Sequence, residues 1–239
     1  MRNFTFKGLF LTAVFTLLGC LSIQAANDDL ITKQITIKLE EAGTLPDRIT
    51  SSKRYKITNL KIVGKINGTD WKMIREMAGS DYKGNATEGK LSVLDLSEAK
   101  IVAGGDYYYC DPYNIEHNTY NDAIGDCAFY GCSGLTSLTL STGITEIGDE
   151  AFYGCSGLKE VKLCINDDLE TYLAKGHSHI YVDCDIKYYL NDKEITSIEI
   201  PSNVTTLGHN VFQNCSGLTS VTFPAGITSI GESAFSGCI

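Results

Sequence analysis

The sequence lacks the short motifs that commonly mark an enzyme. It contains no H-E-x-x-H, no G-x-S-x-G, no P-loop and no dinucleotide-binding glycine pattern. No cysteine spacing resembles a zinc site. The closest pair of carboxylates, Asp167 and Asp168, stands at the start of a predicted helix, where a capping role explains it. We therefore predict a protein that is not an enzyme and that has no cofactor.

Basic residues are also scarce. The chain has 20 Lys and Arg against 29 Asp and Glu, which gives a formal net charge of -9. An acidic chain repels phosphate backbones, so we exclude nucleic acid as a partner. No long apolar run follows residue 26, and we expect nothing beyond that point to span a membrane.

The N-terminus has the pattern of an export signal over residues 1–26. Arg2 and Lys7 precede the apolar run GLFLTAVFTLLGCLSI, and small residues follow. Two cleavage sites fit this pattern. A lipobox-like Leu17–Cys20 segment would make Cys20 a lipidated first residue, whereas Ala25 or Ala26 suits ordinary signal peptidase. In either case the mature protein is predicted to be exported and to act at the cell surface or as a secreted protein.

A sequence unit recurs with a period of 23 residues. IGDCAFYGCSGLTSLTL (124–140) is followed by IGDEAFYGCSGLKEVKL (147–163), and LGHNVFQNCSGLTSVTF (207–223) by IGESAFSGC (230–238). The units agree at apolar and glycine positions and differ at polar ones, which predicts a solenoid. One unit cannot bury its own apolar face, so neighbouring units must stack. The stacking should align four side chains in one column: Phe129, Phe152, Phe212 and Phe235.

The I-G-x-x-A-F-x-x-C-x-x-L-x-x-L-x-L pattern, over residues 122–163 and 195–239, resembles the BspA-like class of bacterial leucine-rich repeats. The resemblance implies a curved solenoid with a parallel β-sheet on its concave side. It also implies short helical or 3₁₀ turns on the convex side and an α+β cap at the N-terminus. A surface protein of adhesion or protein binding is implied as well, with no catalytic residues to carry over.

Beyond the predicted signal, the chain divides into a cap and a set of repeats that contains an insertion. We expect an N-terminal cap over residues 27–121 and the repeats over 122–239. Residues 164–194 form an insertion in the repeats, and the last repeat is truncated. The alternation in residues 195–200 indicates that the array resumes there.

Nine cysteines in an exported chain raise the question of disulfides. Four occupy the same repeat position, where parallel side chains favour buried thiols over laddered disulfides. These are Cys132, Cys155, Cys215 and Cys238. Cys110 with Cys127, and Cys164 with Cys184, are better candidates for pairing.

A tyrosine-rich segment is the first candidate binding site. GGDYYYCDPYN (104–114) places Tyr107, Tyr108, Tyr109 and Tyr113 between glycine and proline. Tyrosine loops suit recognition, because the ring gives a large contact area and the hydroxyl adapts to its partner. The alternative is that some of these rings cover the junction between cap and repeats.

The outward positions of the predicted strands form the second candidate site. Hydroxyls and a few charges at these positions could bind protein or glycan along the sheet, or could be a plain solvated face. The candidate contact residues are Asp95, Thr139, Glu160, Lys162, Glu199 and Thr222.

Taken with the resemblance, these patterns predict an exported adhesion or protein-binding module. The expected partner is an extracellular protein, from a host or a neighbouring bacterium, or a glycan. Contact with a membrane would occur only through a lipid on Cys20. One alternative is a structural spacer for a further C-terminal domain. Another is a metal or thiol enzyme built on the 164–194 insertion, with a metal at His177 and His179 near aspartates or a Cys164–His177 dyad. The polar composition of this loop favours simple exposure instead.

Overall fold

A computed structural model describes residues 30–141, 143–144, 146–165, 169–174, 185–190 and 193–238. The helices are short and few: α1 (Leu45–Arg48), α2 (Ser51–Arg54), α3 (Gly68–Met77) and α4 (Leu169–Ala174). The first strands are β1 (Ile35–Leu39), β2 (Asn59–Ile66), β3 (Val93–Ile101), β4 (Tyr109–Cys110), β5 (Glu116–His117), β6 (Ala123–Ile124) and β7 (Ser137–Ser141). The others are β8 (Glu146–Ile147), β9 (Glu160–Ile165), β10 (Asp185–Leu190), β11 (Lys193–Glu194), β12 (Ser197–Glu199), β13 (Thr206–Leu207), β14 (Ser220–Thr222) and β15 (Ser229–Ile230).

One large sheet organises the fold, in the order β1-β2-β3-β7-β9-β10-β11. Every neighbouring pair is parallel except β10 with β11. Leu94, Leu138 and Val161 are adjacent in register and fully buried, and the residues on either side of each are less buried. This alternation is the expected one for a sheet with one face on the core. The predicted solenoid with a parallel sheet is confirmed.

The segment between the two sets of repeats joins the sheet. We expected it only to interrupt the array, but β10 pairs in parallel with β9, with Lys187 opposite Lys162. The chain direction then reverses, because β11 is antiparallel to β10 and the Ile195 amide donates to the Tyr188 carbonyl. Beyond this reversal β12 pairs in parallel with β14, with Ser197 opposite Ser220 as the 23-residue period requires.

The repeats therefore form two arrays, the first over residues 123–163 and the second over 195–238. On the side away from the main strands each array has a turn edge, where backbone amides of one unit donate to carbonyls of the next. In the first array the donor–acceptor pairs are Cys127–Asp149, Phe129–Ala151 and Gly131–Tyr153. In the second array they are Asn210–Glu232, Phe212–Ala234 and Asn214–Ser236.

The turn edge is a series of hydrogen-bonded turns in which two residues per unit have left-handed backbone. Cys127 has a φ of 55° and Gly131 a φ of 72°, and the same positions of the next unit repeat these values closely. Left-handed residues interrupt a right-handed helical path, so the expected short helical turns here take the form of consecutive turns.

The phenylalanine rings stack within each array. The Phe129 and Phe152 centroids lie 5.6 Å apart, and those of Phe212 and Phe235 lie 5.8 Å apart. Among the described residues no ring contact joins Phe152 to Phe212. Instead the rings of Tyr172 and Tyr188 lie 6.0 and 5.4 Å from Phe212. The single column that we predicted is therefore two separate stacks.

The repeat cysteines are thiols of the core, as predicted. Cys132, Cys155 and Cys215 are buried, and Cys238 is partly buried. Burial raises the pKa of Cys132 to about 11. Cys110 and Cys127 are free thiols, so that pairing is wrong. The other predicted pairing involves position 184, which lies outside the described residues.

The N-terminal region closes the first array through α3. By the period of the repeat, the carbonyls of Asp126, Ala128 and Tyr130 have no preceding unit to donate to them. Side chains of the N-terminal region donate instead: Tyr108 Oη to Asp126 (2.7 Å), Trp71 Nε1 to Ala128 (2.9 Å) and Arg75 Nη2 to Tyr130 (2.9 Å). Buried carbonyls need such partners, so these three side chains form a first cap.

The second array is closed in the same way by the segment that contains α4 and β10. Its first unit presents the carbonyls of Val211 and Gln213, which correspond to those of Ala128 and Tyr130. Tyr172 Oη donates to Val211 at 2.5 Å, and Tyr188 Oη donates to Gln213 at 3.2 Å. Tyr172 and Tyr188 thus form a second cap.

Candidate protein-binding surface

Residues 107–120, the tyrosine hairpin, project from the junction of the first cap and the first array. β4 and β5 pair antiparallel, with Tyr109 opposite His117. The carboxylate of Asp111 accepts hydrogen bonds from the amides of Tyr113 (2.8 Å) and Ile115 (2.9 Å). This is the Asx geometry by which aspartate fixes a turn. The tip of the hairpin is therefore held in one conformation.

Two of the four predicted tyrosines lie inside the protein. Tyr108 is 1% exposed and donates to the Asp126 carbonyl, and Tyr109 is 2% exposed. Burial raises the pKa of both phenols, with nearby acidic groups contributing. These rings cover the junction of cap and repeats, the alternative that the sequence left open. A contact surface can use only Tyr107 and Tyr113 of the four.

The other two tyrosines differ in what surrounds them. Tyr107 is partly buried, with its ring 5.8 Å from Tyr82 and with Lys72 Nζ 5.3 Å from its centre. Within the described chain, the Tyr113 ring has no aromatic ring or cation against it, and the residue is 84% exposed. Ile115 is 56% exposed and Tyr120 is 63% exposed. Three large apolar side chains thus face solvent within eight residues of one another.

A ladder of aromatic rings runs from the hairpin along the turn edge of the first array. Successive centroid distances are 5.6 Å from His117 to Tyr109, 5.2 Å from Tyr109 to Tyr130 and 5.2 Å from Tyr130 to Tyr153. The Arg75 guanidinium lies 4.7 Å from the centre of the Tyr109 ring. Tyr153 ends the ladder and is 63% exposed. The ladder therefore links the hairpin to the repeats through the buried ring of Tyr109 and ends in an exposed ring at Tyr153.

The second candidate site, on the outward strand face, is also assembled by the fold. Asp95, Thr139 and Lys162 occupy one register on adjacent strands, with Glu160 two residues before Lys162. Glu199 and Thr222 face each other on the separate β12–β14 pair, and both are exposed.

On the main sheet, the charges of the outward strand face are matched within the protein. Lys61 Nζ lies 3.4 Å from Asp95 and 2.7 Å from Glu98. Lys162 Nζ lies 3.0 Å from Glu160. Burial opposes ionisation of Glu160, but hydrogen bonds from Lys162 and Ser137 outweigh it and lower the pKa of Glu160. A charged ligand would have to displace these internal partners.

Metal and membrane sites can be judged only for the described part of the chain. There, no group of three or more His, Cys, Asp and Glu side chains is arranged to hold a metal ion. His177 and His179 lie outside the described ranges, as does Cys20. No helix within the described ranges is long and apolar enough to cross a bilayer.

The stacked units, the parallel sheet and the two caps define a leucine-rich-repeat solenoid. The profile of the BspA type leucine rich repeat region matches six copies over residues 100–175 and 185–239. The chain therefore belongs to the BspA-type leucine-rich-repeat family. Repeats of this kind generally mediate protein–protein interactions, and bacterial proteins that carry them are typically secreted or at the cell surface.

Solved structures with similarity are bacterial repeat proteins. The leucine-rich repeat protein of T. pallidum is 21% identical over 56% of this chain and 78% of its own, with a TM-score of 0.23. A leucine-rich repeat protein of Bacteroides ovatus is 18% identical over 87% of this chain and 59% of its own, also with a TM-score of 0.23. No curated protein matches the sequence.

Sequence reasoning missed part of the exposed surface, including Ile115, Tyr120 and Tyr153. An isoleucine inside a polar hairpin, NIEHN, was an available signal. A second signal was the distribution of charge, because residues 101–158 contain no Lys or Arg. Neither is visible in the repeat pattern, which reports only inward positions.

Proposed function

We propose that this protein is an exported binding module that attaches to extracellular proteins of a host or a neighbouring cell. The contact surface is the tyrosine hairpin together with the exposed end of the aromatic ladder. The observation that carries the proposal is the exposure of Tyr113 and Ile115 on a tip fixed by Asp111. Because hydrogen bonds to Asp111 already fix the backbone of the turn, less entropy is lost in ordering the loop when a partner covers these side chains.

Membership of a protein-binding repeat family supports the same proposal. The matched charges of the outward strand face favour the hairpin over that face, because the hairpin has no comparable internal partners to displace. Contacts at Asp95, Thr139, Glu160, Lys162, Glu199 and Thr222 remain a prediction.

Capture of purified extracellular matrix and mucus proteins on the immobilised chain tests the proposal. The variant is Tyr113→Ser with Ile115→Ser, which leaves the Asp111 hydrogen bonds to the backbone in place. A matched control is Phe223→Ser, because Phe223 is an exposed aromatic residue of the second array, 43% accessible. We expect the hairpin variant to lose capture and the control to keep it. Equal capture by all three proteins would reject the proposal.

Export and anchoring need a separate experiment. Expression of the full chain with Cys20→Ala, followed by cell fractionation, distinguishes the two predicted signals. A lipoprotein would move from the membrane fraction to the soluble exported fraction, whereas an ordinarily cleaved protein would not change. Retention of the wild-type chain in the cytoplasm would contradict export.

A further inference from the structure

The charge of the protein is concentrated beside the tyrosine hairpin. Residues 101–158 contain eight Asp and Glu and no Lys or Arg, in a chain whose formal charge is -9. Two basic side chains of the first cap approach this region: Lys72 lies 3.9 Å from Asp106, and the buried Arg75 donates to carbonyls of the turn edge. Glu116, Asp126, Glu146, Asp149 and Glu150 are exposed.

Several of these carboxylates are brought together by the fold. The Asp126 carboxylate accepts a hydrogen bond from the Asp149 amide at 2.9 Å, so these two lie on neighbouring units of the turn edge. Burial raises the pKa of the Cys127 thiol, and nearby Glu150, Asp126 and Asp111 add to the rise, whereas the Arg75 guanidinium opposes it. Since Asp111 fixes the hairpin tip, the acidic groups border the exposed apolar side chains.

Five of these carboxylates are not paired with a basic side chain of the described chain, whereas Asp106 lies 3.9 Å from Lys72 and Asp111 lies 3.8 Å from His117. Within the described chain, Glu116, Asp126 and Asp149 make no ion pair with Lys or Arg, and the same holds for Glu146 and Glu150. On the outward strand face, Asp95 and Glu160 each have a lysine within 4 Å. The buried Arg75 offsets part of this charge, but the exposed carboxylates outnumber it and give the turn edge a negative field toward solvent.

We propose that the partner of this surface is a cationic protein segment in which Lys or Arg residues flank apolar side chains. This inference rests on the proposed function and names the chemistry of its partner. Tyr113, Ile115 and Tyr120 contact the apolar side chains, and the carboxylates of the turn edge pair with the cations. The arrangement of a central apolar contact with a charged rim is the usual anatomy of a protein interface. Complementary charge then sets partner choice and association rate.

A defined probe tests the inference without knowledge of the natural partner. The probe is a fluorescent peptide composed only of Leu and Lys, and its counterpart has Glu in place of every Lys. Anisotropy titrations with the full chain should give saturable binding of the Lys peptide and none of the Glu peptide. Affinity should fall as ionic strength rises, because exposed charges are screened.

Two sets of variants separate the acidic rim from total charge. The rim variant carries Glu116→Gln, Asp126→Asn and Asp149→Asn. The control carries Glu41→Gln, Glu88→Gln and Glu232→Gln, which are exposed and remote in sequence from the hairpin and its rim. Both remove the same charge. We expect the rim variant to bind the Lys peptide on the order of tenfold more weakly, with a smaller salt dependence, and the control to change little.

Equal weakening by both sets would overturn the inference, since it would show attraction to net charge alone. Binding of the Glu peptide as tight as that of the Lys peptide would also overturn it. Unfolding midpoints of each variant, monitored by Trp71 fluorescence, establish that the fold is intact. Capture of an acidic extracellular protein through Tyr113 and Ile115 would reject the cationic partner and leave the proposed function standing.

Discussion

The first and second arrays bury equivalent residues but expose different residues at their turn edges. Each stacks two phenylalanines and two cysteines, and each joins its units by three amide-to-carbonyl hydrogen bonds at the turn edge. The exposed positions diverge. Asp126 and Asp149 of the first array correspond to His209 and Glu232 of the second, and Tyr153 corresponds to Ser236.

This comparison separates two requirements on one repeat. Inward positions must fill the same volume in every unit, because a packed core tolerates little change in shape. Outward turn positions have no such constraint and are free to serve recognition. The array that carries aromatic and acidic residues on its edge is therefore the one that we assign to binding.

The caps differ as well, although they solve the same problem. The first uses a buried guanidinium, an indole and one phenol, and the second uses two phenols. A charged donor forms stronger hydrogen bonds than a neutral one. We infer that the first array is the more firmly closed of the two and that the arrays unfold separately.

Loss of a stacked phenylalanine should have the largest effect on this comparison. Phe129→Ala and Phe212→Ala should each cost about 3–5 kcal/mol, because each leaves a cavity beneath a stacked ring. Trp71 is the single tryptophan and lies 5.1 Å from Phe129, so its fluorescence reports on the first array. In denaturant titrations, Phe129→Ala should shift the Trp71 transition and Phe212→Ala should shift mainly the circular dichroism signal. Equal shifts of Trp71 fluorescence would show that the arrays unfold as one unit.

Removal of the charged donor in the first cap should have the next largest effect on stability. Arg75→Met leaves the carbonyls of Ala128 and Tyr130 with fewer donors or none, and buried unpaired groups cost about 1–3 kcal/mol each. Hydrogen exchange should show faster exchange in the turn edge of the first array and no change in the second. Arg75→Lys tests whether the shape of the donor matters, because an ammonium group cannot reproduce the forked set of donors of a guanidinium.

Removal of the phenols in the second cap should cost less. Tyr172→Phe and Tyr188→Phe each delete one donor and keep the ring packed against Phe212, so we expect about 1–3 kcal/mol for each. The loss should appear in the circular dichroism transition of the second array. A cost above that of Arg75→Met would reverse the order of the two caps.

The buried thiols should give the smallest effect and the same one in both arrays. Burial raises the pKa of Cys132 and Cys215 from about 9 to about 11. A raised pKa in the folded state means that stability is full below pH 9 and is lost as pH rises toward 11. Stability measured across this range should fall less in Cys132→Ala and Cys215→Ala than in the wild type. Rapid reaction of these thiols with a disulfide reagent near neutral pH would contradict their burial.

Much of the fold follows from the sequence, because inward positions obey a period. The stacking of Phe129 on Phe152 and the burial of Cys132 both come from that rule. The caps do not, since Arg75 and Tyr188 act once each and leave no periodic trace. The continuation of the sheet through β10 was not predicted either, because this strand also has no counterpart in the repeat period.

The candidate site was less accessible to sequence reasoning. Four tyrosines in seven residues indicated a recognition loop, but composition cannot show that Tyr108 and Tyr109 point inward. The apolar tip at Ile115 depends on a turn fixed by Asp111. The structure is needed to show that lysines of the strand face already form ion pairs, whereas the exposed carboxylates of the turn edge do not.

Hydrogen exchange of the chain with and without a captured extracellular protein tests the central claim most directly. The account predicts protection of residues 109–120 and of the turn edge of the first array, around 126–130 and 149–153. The strands that carry Thr139 and Lys162 should exchange as in the free protein. Protection confined to those strands, with the hairpin unchanged, would contradict it.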